Sequence, residues 1–160
     1  IASAVSMTTA ALYYHFDSKE AIYVAVHGYC MDAVTSAVER AIEGVEDPWQ
    51  RLELAAGAHC EALLESHGHS AILSNLSALR MARVRDAVIA QRDAYDRRLQ
   101  TLIDALPLPR GTDRRLLRLQ LIGSWNFMPN WYRKGGPRSA RSIGRTSVRM
   151  LRDGLRPARG

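Results

Sequence analysis

The chain has 160 residues, 47% apolar and 24% charged, with a net charge of +6. That is enough apolar material for one packed domain, and it excludes disorder as the main state. Two cysteines, Cys30 and Cys60, cannot build a disulfide framework and point to a reducing, cytoplasmic setting. No uninterrupted apolar run approaches the roughly 20 residues of a membrane span, and no basic-then-apolar leader opens the chain, so no membrane partner is expected.

The charge is unevenly placed. Residues 1–106 carry nine Lys/Arg against fourteen Asp/Glu, a balance of −5, and residues 107–160 carry thirteen against two, a balance of +11. A basic excess invites a nucleic-acid reading, but here it sits in the C-terminal third and does not by itself mark a DNA surface.

Helical periodicity runs throughout and no alternating strand pattern breaks it, so the expected class is all-α. The chain opens at Ile1 without methionine and is helix-like at once, which reads as part of a longer protein. Residues Ile1 to Val5 read as the tail of one helix, Ser6-Met7 as a tight turn, and Thr8 as the N-cap of a short second helix. Leu12 and Phe16, four apart, face inward, leaving Thr9, Ala10, Tyr13 and Tyr14 outward, where small and hydroxylated side chains can approach base edges.

Asp17-Ser18-Lys19-Glu20 reads as the next helix start, with Asp17 accepting from the first amides and Glu20 reaching back. Ile22, Ala25, Val26, Tyr29, Ala33, Ala37 and Ala41 follow at steps of three and four, and Gly44 ends the helix. Asp47-Pro48 opens another, with Trp49, Leu52, Ala56, His59 and Leu63 on one face, broken at Gly68. A shorter helix is expected from Ser70 to Leu79. A long one follows from about Arg83 to Leu106, striped by Val84, Val88, Tyr95, Leu99, Leu102 and Leu106. Pro107 to Gly111 is a linker. Two more helices, about Asp113–Tyr132 and Ser139–Leu155, are separated by Lys134-Gly135-Gly136-Pro137.

The opening segment resembles the TetR family of transcriptional regulators. The match is carried by Ile1-Ala2, the turn Ser6-Met7-Thr8, then Leu12-Tyr13-Tyr14-His15-Phe16 and Ser18-Lys19-Glu20. Ser6 and Met7 stand where the family has glycine and valine. The resemblance implies a partial helix-turn-helix reader over residues 1–24, its first helix and the start of its second lying upstream. It also implies a ligand-binding and dimerisation domain over 25–160. The DNA-facing set is then Thr8, Thr9, Ala10, Tyr13, Tyr14, His15 and Lys19, the last against a phosphate. Tyr13, His15 and Lys19 are also compatible with ordinary packing or solvation. The resemblance implies operator DNA and a small-molecule effector as partners, with a homodimer formed through the last two helices. In the mechanism so implied, ligand favours a half-site spacing that no longer fits the operator.

A second resemblance lies in Leu121 to Gly136, where Gly123, Asn126, Trp131-Tyr132 and Gly136 are spaced as in TetR-type regulators that sense CoA thioesters. Pro129 departs from that pattern and predicts a kink at Met128. Six residues interrupt an otherwise aliphatic lining and are candidate ligand contacts: His59, Cys60, Tyr95, Trp125, Asn126 and Met128. Each has a plainer reading as core packing, least so Asn126, because a buried amide needs partners. Arg138, Arg141, Arg145, Arg149, Arg152, Arg156 and Arg159 form an arginine face, either neutralised by the acidic half or available to an acyl-CoA's phosphates or to DNA. Ile143, Val148, Leu151 and Leu155 lie to another side and suit a dimer seam.

His59, Cys60, His67 and His69 match no zinc spacing, so no metal is expected. No phosphate loop, nucleophile elbow or paired carboxylates appear, and neither a cofactor nor an enzymatic activity is expected. Three readings remain: a ligand-responsive repressor, a helical dimerisation protein without DNA binding because its reader is truncated, and a small helical enzyme.

Overall fold

The computed structural model describes residues 14–65, 72–73 and 82–154. Five α-helices make up its core: α1 (Lys19–Ile42), α2 (Pro48–Glu65), α3 (Ala82–Asp104), α4 (Arg114–Phe127) and α5 (Ala140–Gly154), with a 3-10 turn at Met128–Asn130. There is no strand among the described residues, as the periodicity required. The expected helix from Ser70 to Leu79 lies outside the described residues except at Ile72 and Leu73, which are helical.

The cap of α1 is Ser18 rather than Asp17: its hydroxyl accepts from the Ala21 amide at 3.0 Å. Both residues are competent caps, and extended geometry at Ser18 places its oxygen over the free amides. Gly44 ends the run with φ +69, a left-handed turn residue as expected. The buried stripe of α1 is Ile22, His27, Cys30, Val34 and Val38, while Ala25 and Tyr29 are exposed. The helix is apolar on nearly every side, so the Ala25–Tyr29 face was as plausible from spacing as the true one. Among the described residues, α1 is the one helix long and apolar enough to cross a membrane by length and composition. In the fold its stripe packs on α2 and α3.

Helix α2 is the centre of the molecule. Asp47 caps it, accepting from the Gln50 amide at 2.7 Å. Leu52, Ala55, Ala56, Ala58, His59, Cys60 and Leu63 are all buried, because α2 touches α1, α3, α4 and α5. The α3 stripe lies inward over its whole length, with Val84 and Val88 meeting Tyr23 and Val24 of α1 as a small separate cluster.

Asp113 caps α4 by accepting from the Leu116 amide at 2.9 Å, and Leu117, Leu121 and Trp125 bury at steps of four. The α-helix stops at Phe127 instead of continuing kinked to Tyr132. Pro129 has no amide to extend the ladder and sits in the first turn of the 3-10 segment, where none is needed. The two tryptophans part company there: Trp125 is 1% exposed and Trp131 is 51% exposed.

Helix α5 lies on α2, the most extensive helix pair in the structure. Ala140, Gly144 and Val148 face inward, and Ile143 and Leu151, each partly buried, pack on the same core. Leu155 lies outside the described residues. The arginine face is also committed internally. Glu53 Oε1 accepts from Arg145 Nε at 3.0 Å and from Arg149 Nη2 at 2.7 Å, and Arg141 pairs with Glu61. The Arg149 hydrogen bond, helped by Arg145, holds the Glu53 carboxyl below its ordinary value against the opposing effect of burial. The solvated, neutralised reading of that face is the one the geometry supports for these three arginines.

Candidate ligand-binding site

A cavity of about 590 Å³ opens between α1, α2, α3 and α4. Its apolar wall comes from Met31 and Val34 of α1, Leu63 of α2, Ile122 and Phe127 of α4, and Leu73. Its polar groups are His59, Tyr95, Arg92, Asp93, Asp96, Asn126 and Asn130. Most of the surface facing the cavity is nonetheless apolar, as in a small-molecule site.

Of the six candidate ligand contacts, His59, Tyr95 and Asn126 line this cavity. The other three lie elsewhere. Cys60 and Met128 are buried against each other, sulfur to sulfur at 3.5 Å. Trp125 packs against His59 with the rings tilted by 44° and their centroids 5.4 Å apart, and its indole N–H donates to Ser147 Oγ at 2.9 Å. It also helps line a separate recess of about 200 Å³ with Val38, Leu99 and Leu102. Asn126 is exposed rather than buried, because α4 turns that edge toward the cavity mouth and solvent.

His59 is the centre of the polar part. It is 4% exposed, and its Nδ1 lies 2.7 Å from the Tyr95 hydroxyl. Burial holds the ring's pKa down at about 4, opposed by the Asn126 side chain, so the imidazole is neutral at pH 7. No hydrogen bond of acceptable geometry reaches Nε2, although Asn126 is close enough to act on the ring. Burial likewise raises the Tyr95 phenol, and pushes the Cys60 thiol up to about 12. Cys60 is therefore an inert buried side chain.

Arg92 escaped the sequence reading, since nothing local sets it apart from other helical arginines. Its Nη2 donates to the Leu73 carbonyl at 2.9 Å, closing one side of the cavity. Asp96 is paired with Arg118 of α4. His27 was missed as well: fully buried on α1, it meets Gln91 Oε1 at 2.5 Å, and Gln91 in turn donates to the Val24 carbonyl at 3.3 Å.

Of the DNA-facing set, Thr8, Thr9, Ala10 and Tyr13 lie outside the described residues. Tyr14, His15 and Lys19 are exposed, the tyrosine and histidine rings meeting edge-on at 5.2 Å. Lys19 is the first residue of α1, which continues without interruption across residues 24 and 25 to the cavity-lining Met31 and Val34.

An exposed segment carrying Tyr14, His15 and Lys19 leads into an all-helical domain with a cavity, the layout of a one-component regulator with a DNA-reading end and a ligand-binding body. Residues 1–26 match the family model of bacterial regulatory proteins of the tetR family, and residues 45–155 match the tetracyclin repressor-like C-terminal domain. The chain belongs to the TetR family of transcriptional regulators. It is 22% identical, over 97% of its own length and 80% of the relative's, to the HTH-type transcriptional repressor KstR2 of Mycobacterium tuberculosis. Among solved structures it is similar to the TetR family regulator PfmR of Thermus thermophilus, with TM-score 0.77, 26% identity, and 98% and 87% of the two chains covered. It has the fold of AibR, solved in complex with isovaleryl coenzyme A and operator DNA, with TM-score 0.77, 22% identity, and 93% and 83% covered.

Proposed function

We propose that this protein is a cytoplasmic repressor that binds operator DNA as a homodimer and is released by a small apolar compound or acyl thioester held in the α1–α4 cavity. The observation that carries this reading is the cavity itself. It is largely apolar, and one of its walls is α1, the helix that begins at the DNA-reading segment. A ligand that favours one position of α1 against α3 and α4 biases Lys19 and the reader at the same time. The AibR complex supports a CoA thioester as the effector class. The arginine face does not supply its phosphate contacts in this reading, because Arg141, Arg145 and Arg149 are paired on the α2 side. The acyl part occupies the cavity and the nucleotide stays at the mouth.

Dimerisation is supported by apolar side chains that the protomer leaves uncovered on its last two helices: Leu116, Leu119 and Phe127 of α4, the last 63% exposed, and Met150 of α5, 70% exposed. Such a surface favours a two-fold interface. The double substitution Leu119→Arg, Met150→Arg is expected to convert the dimer to a folded monomer in sedimentation analysis and to weaken operator binding more than tenfold. Retention of the dimer by that variant would place the interface elsewhere.

Native mass spectrometry with isovaleryl-CoA, longer acyl-CoAs and the matching free acids tests the effector class. The expected result is a dimer that retains thioesters and not the acids. A dimer that retains neither overturns the acyl-thioester class, and a wild-type monomer overturns the dimeric repressor.

A further inference from the structure

The His59–Tyr95 pair fixes what kind of group the cavity is built to receive. The only hydrogen-bond partner of the Tyr95 hydroxyl among the described residues is His59 Nδ1, at 2.7 Å. With the buried phenol assigned as donor to this partner, Nδ1 is the acceptor. The neutral imidazole then carries its own proton on Nε2. That nitrogen is buried and no well-aligned hydrogen bond from the described residues reaches it, although the Asn126 side chain acts on the ring, which forms part of the cavity wall. An unsatisfied buried N–H is destabilising, and a ligand acceptor removes that penalty.

The same wall holds no surplus positive charge. Its one cation among the described residues, Arg92, is engaged with the Leu73 carbonyl and shares the lining with two carboxylates, Asp93 and the Arg118-paired Asp96, and His59 is neutral. A carboxylate brought to His59 would be desolvated without a counter-charge, whereas an uncharged oxygen would not. Trp125 packed against the ring and Tyr95 bonded to it hold the imidazole in place.

We propose that His59 is the specificity-determining residue of the cavity, donating from Nε2 to an uncharged carbonyl oxygen (ketone, ester or thioester) on an otherwise apolar effector. The inference rests on the cavity being the effector site and adds the functional group that is read there.

The test uses three compounds of matched shape: 2-octanone, its isostere 2-methyl-1-octene, and octanoate, titrated at pH 7.5 into the wild-type protein, His59→Leu and His59→Gln. Wild type is expected to bind the ketone at least tenfold more tightly than the alkene, and octanoate more weakly than the ketone. His59→Leu should bind ketone and alkene equally, and His59→Gln, which keeps an N–H donor, should recover part of the preference. In wild type the ¹⁵N resonance of His59 Nε2 should shift with the ketone and not with the alkene, a readout that does not depend on how well the variants fold. Equal binding of ketone and alkene by wild type overturns the role of His59 while leaving the cavity as the effector site. A ketone preference that survives His59→Leu, or octanoate binding as tightly as the ketone, also overturns it. Failure of wild type to bind any of the three overturns the cavity reading and the inference together.

Discussion

Replacing Gly144 by alanine is expected to destabilise the protein by about 2–3 kcal/mol, a fall of about 5–10 °C in melting temperature. Two effects of opposite sign compete. Alanine gains about 1 kcal/mol over glycine inside a helix. Against that, a Cβ at position 144 would stand 2.3 Å from the Ala56 carbonyl oxygen, 2.7 Å from its carbon and 2.9 Å from Cys60 Sγ. The first two are backbone atoms of α2, so the contact is relieved only by prising α5 from α2 along the most extensive interface in the molecule. The steric cost therefore exceeds the propensity gain, and Gly144→Val should prevent stable folding. Gly57, on the facing helix, is the control. Its added Cβ would meet Arg145 Cγ at 2.9 Å and Arg141 Cγ at 3.1 Å, both on flexible side chains, and the Arg141 carbonyl oxygen at 3.2 Å. Gly57→Ala should thus cost clearly less. Thermal melts of the two alanine variants, measured side by side, check the argument, and equal melting temperatures would sink it.

Acid should weaken the fold well above the carboxylate range. The His59 imidazole has its pKa held at about 4 by burial, against 6.5 for a free histidine. Its neutral form is the one the fold accommodates. Above pH 6.5 both folded and unfolded states are neutral there and the full stability is present. As pH falls from 6.5 toward 4 the unfolded chain takes up the proton first, and stability is lost across that interval. The loss by pH 4.5 is about 2–3 kcal/mol from this residue. His27 acts in the same direction, lowered by burial and by Arg92 against the opposing Gln91 hydrogen bond. Glu53 contributes at still lower pH: its stabilisation is complete above 4.5 and is lost as pH falls through its lower folded value. Urea unfolding at pH 7.5, 6.0 and 4.5 should therefore show a falling midpoint. His59→Phe is expected to be less stable at pH 7.5 but to lose less on acidification. Parallel pH slopes for the two proteins would show that His59 does not carry the effect.

Family and helix order were readable in the chain because they rest on local chemistry. The run from Leu12 to Glu20 carries the reader's pattern, Asp47, Asp113 and the glycine at 44 punctuate helices within three residues of their targets, and the α3 stripe repeats strictly enough to admit one face. Where local chemistry was ambiguous the reading slipped by a residue or a face. Asp17 and Ser18 are both good caps, and the alanine-rich α1 offers apolar side chains in every direction, so His27 and Cys30 were passed over for Ala25 and Tyr29.

The candidate site was legible only in part. His59 and Tyr95 stood out as polar groups on apolar stripes, but 36 residues separate them, and no sequence rule says that they meet. Asn126 was expected to be buried, and the end of α4 at Phe127 left it exposed at the cavity. The sequence by itself determined an all-helical chain, its punctuation and its family, since caps, periodicity and a contiguous motif act over a few residues. Only the tertiary structure decided that Arg141, Arg145 and Arg149 are held by Glu61 and Glu53, that Gly144 is required by a backbone crossing, and that His59 meets Tyr95 in the cavity wall. These depend on residues 36 to 96 apart or on the space between helices, and that space is fixed by how the helices pack, not by any segment alone.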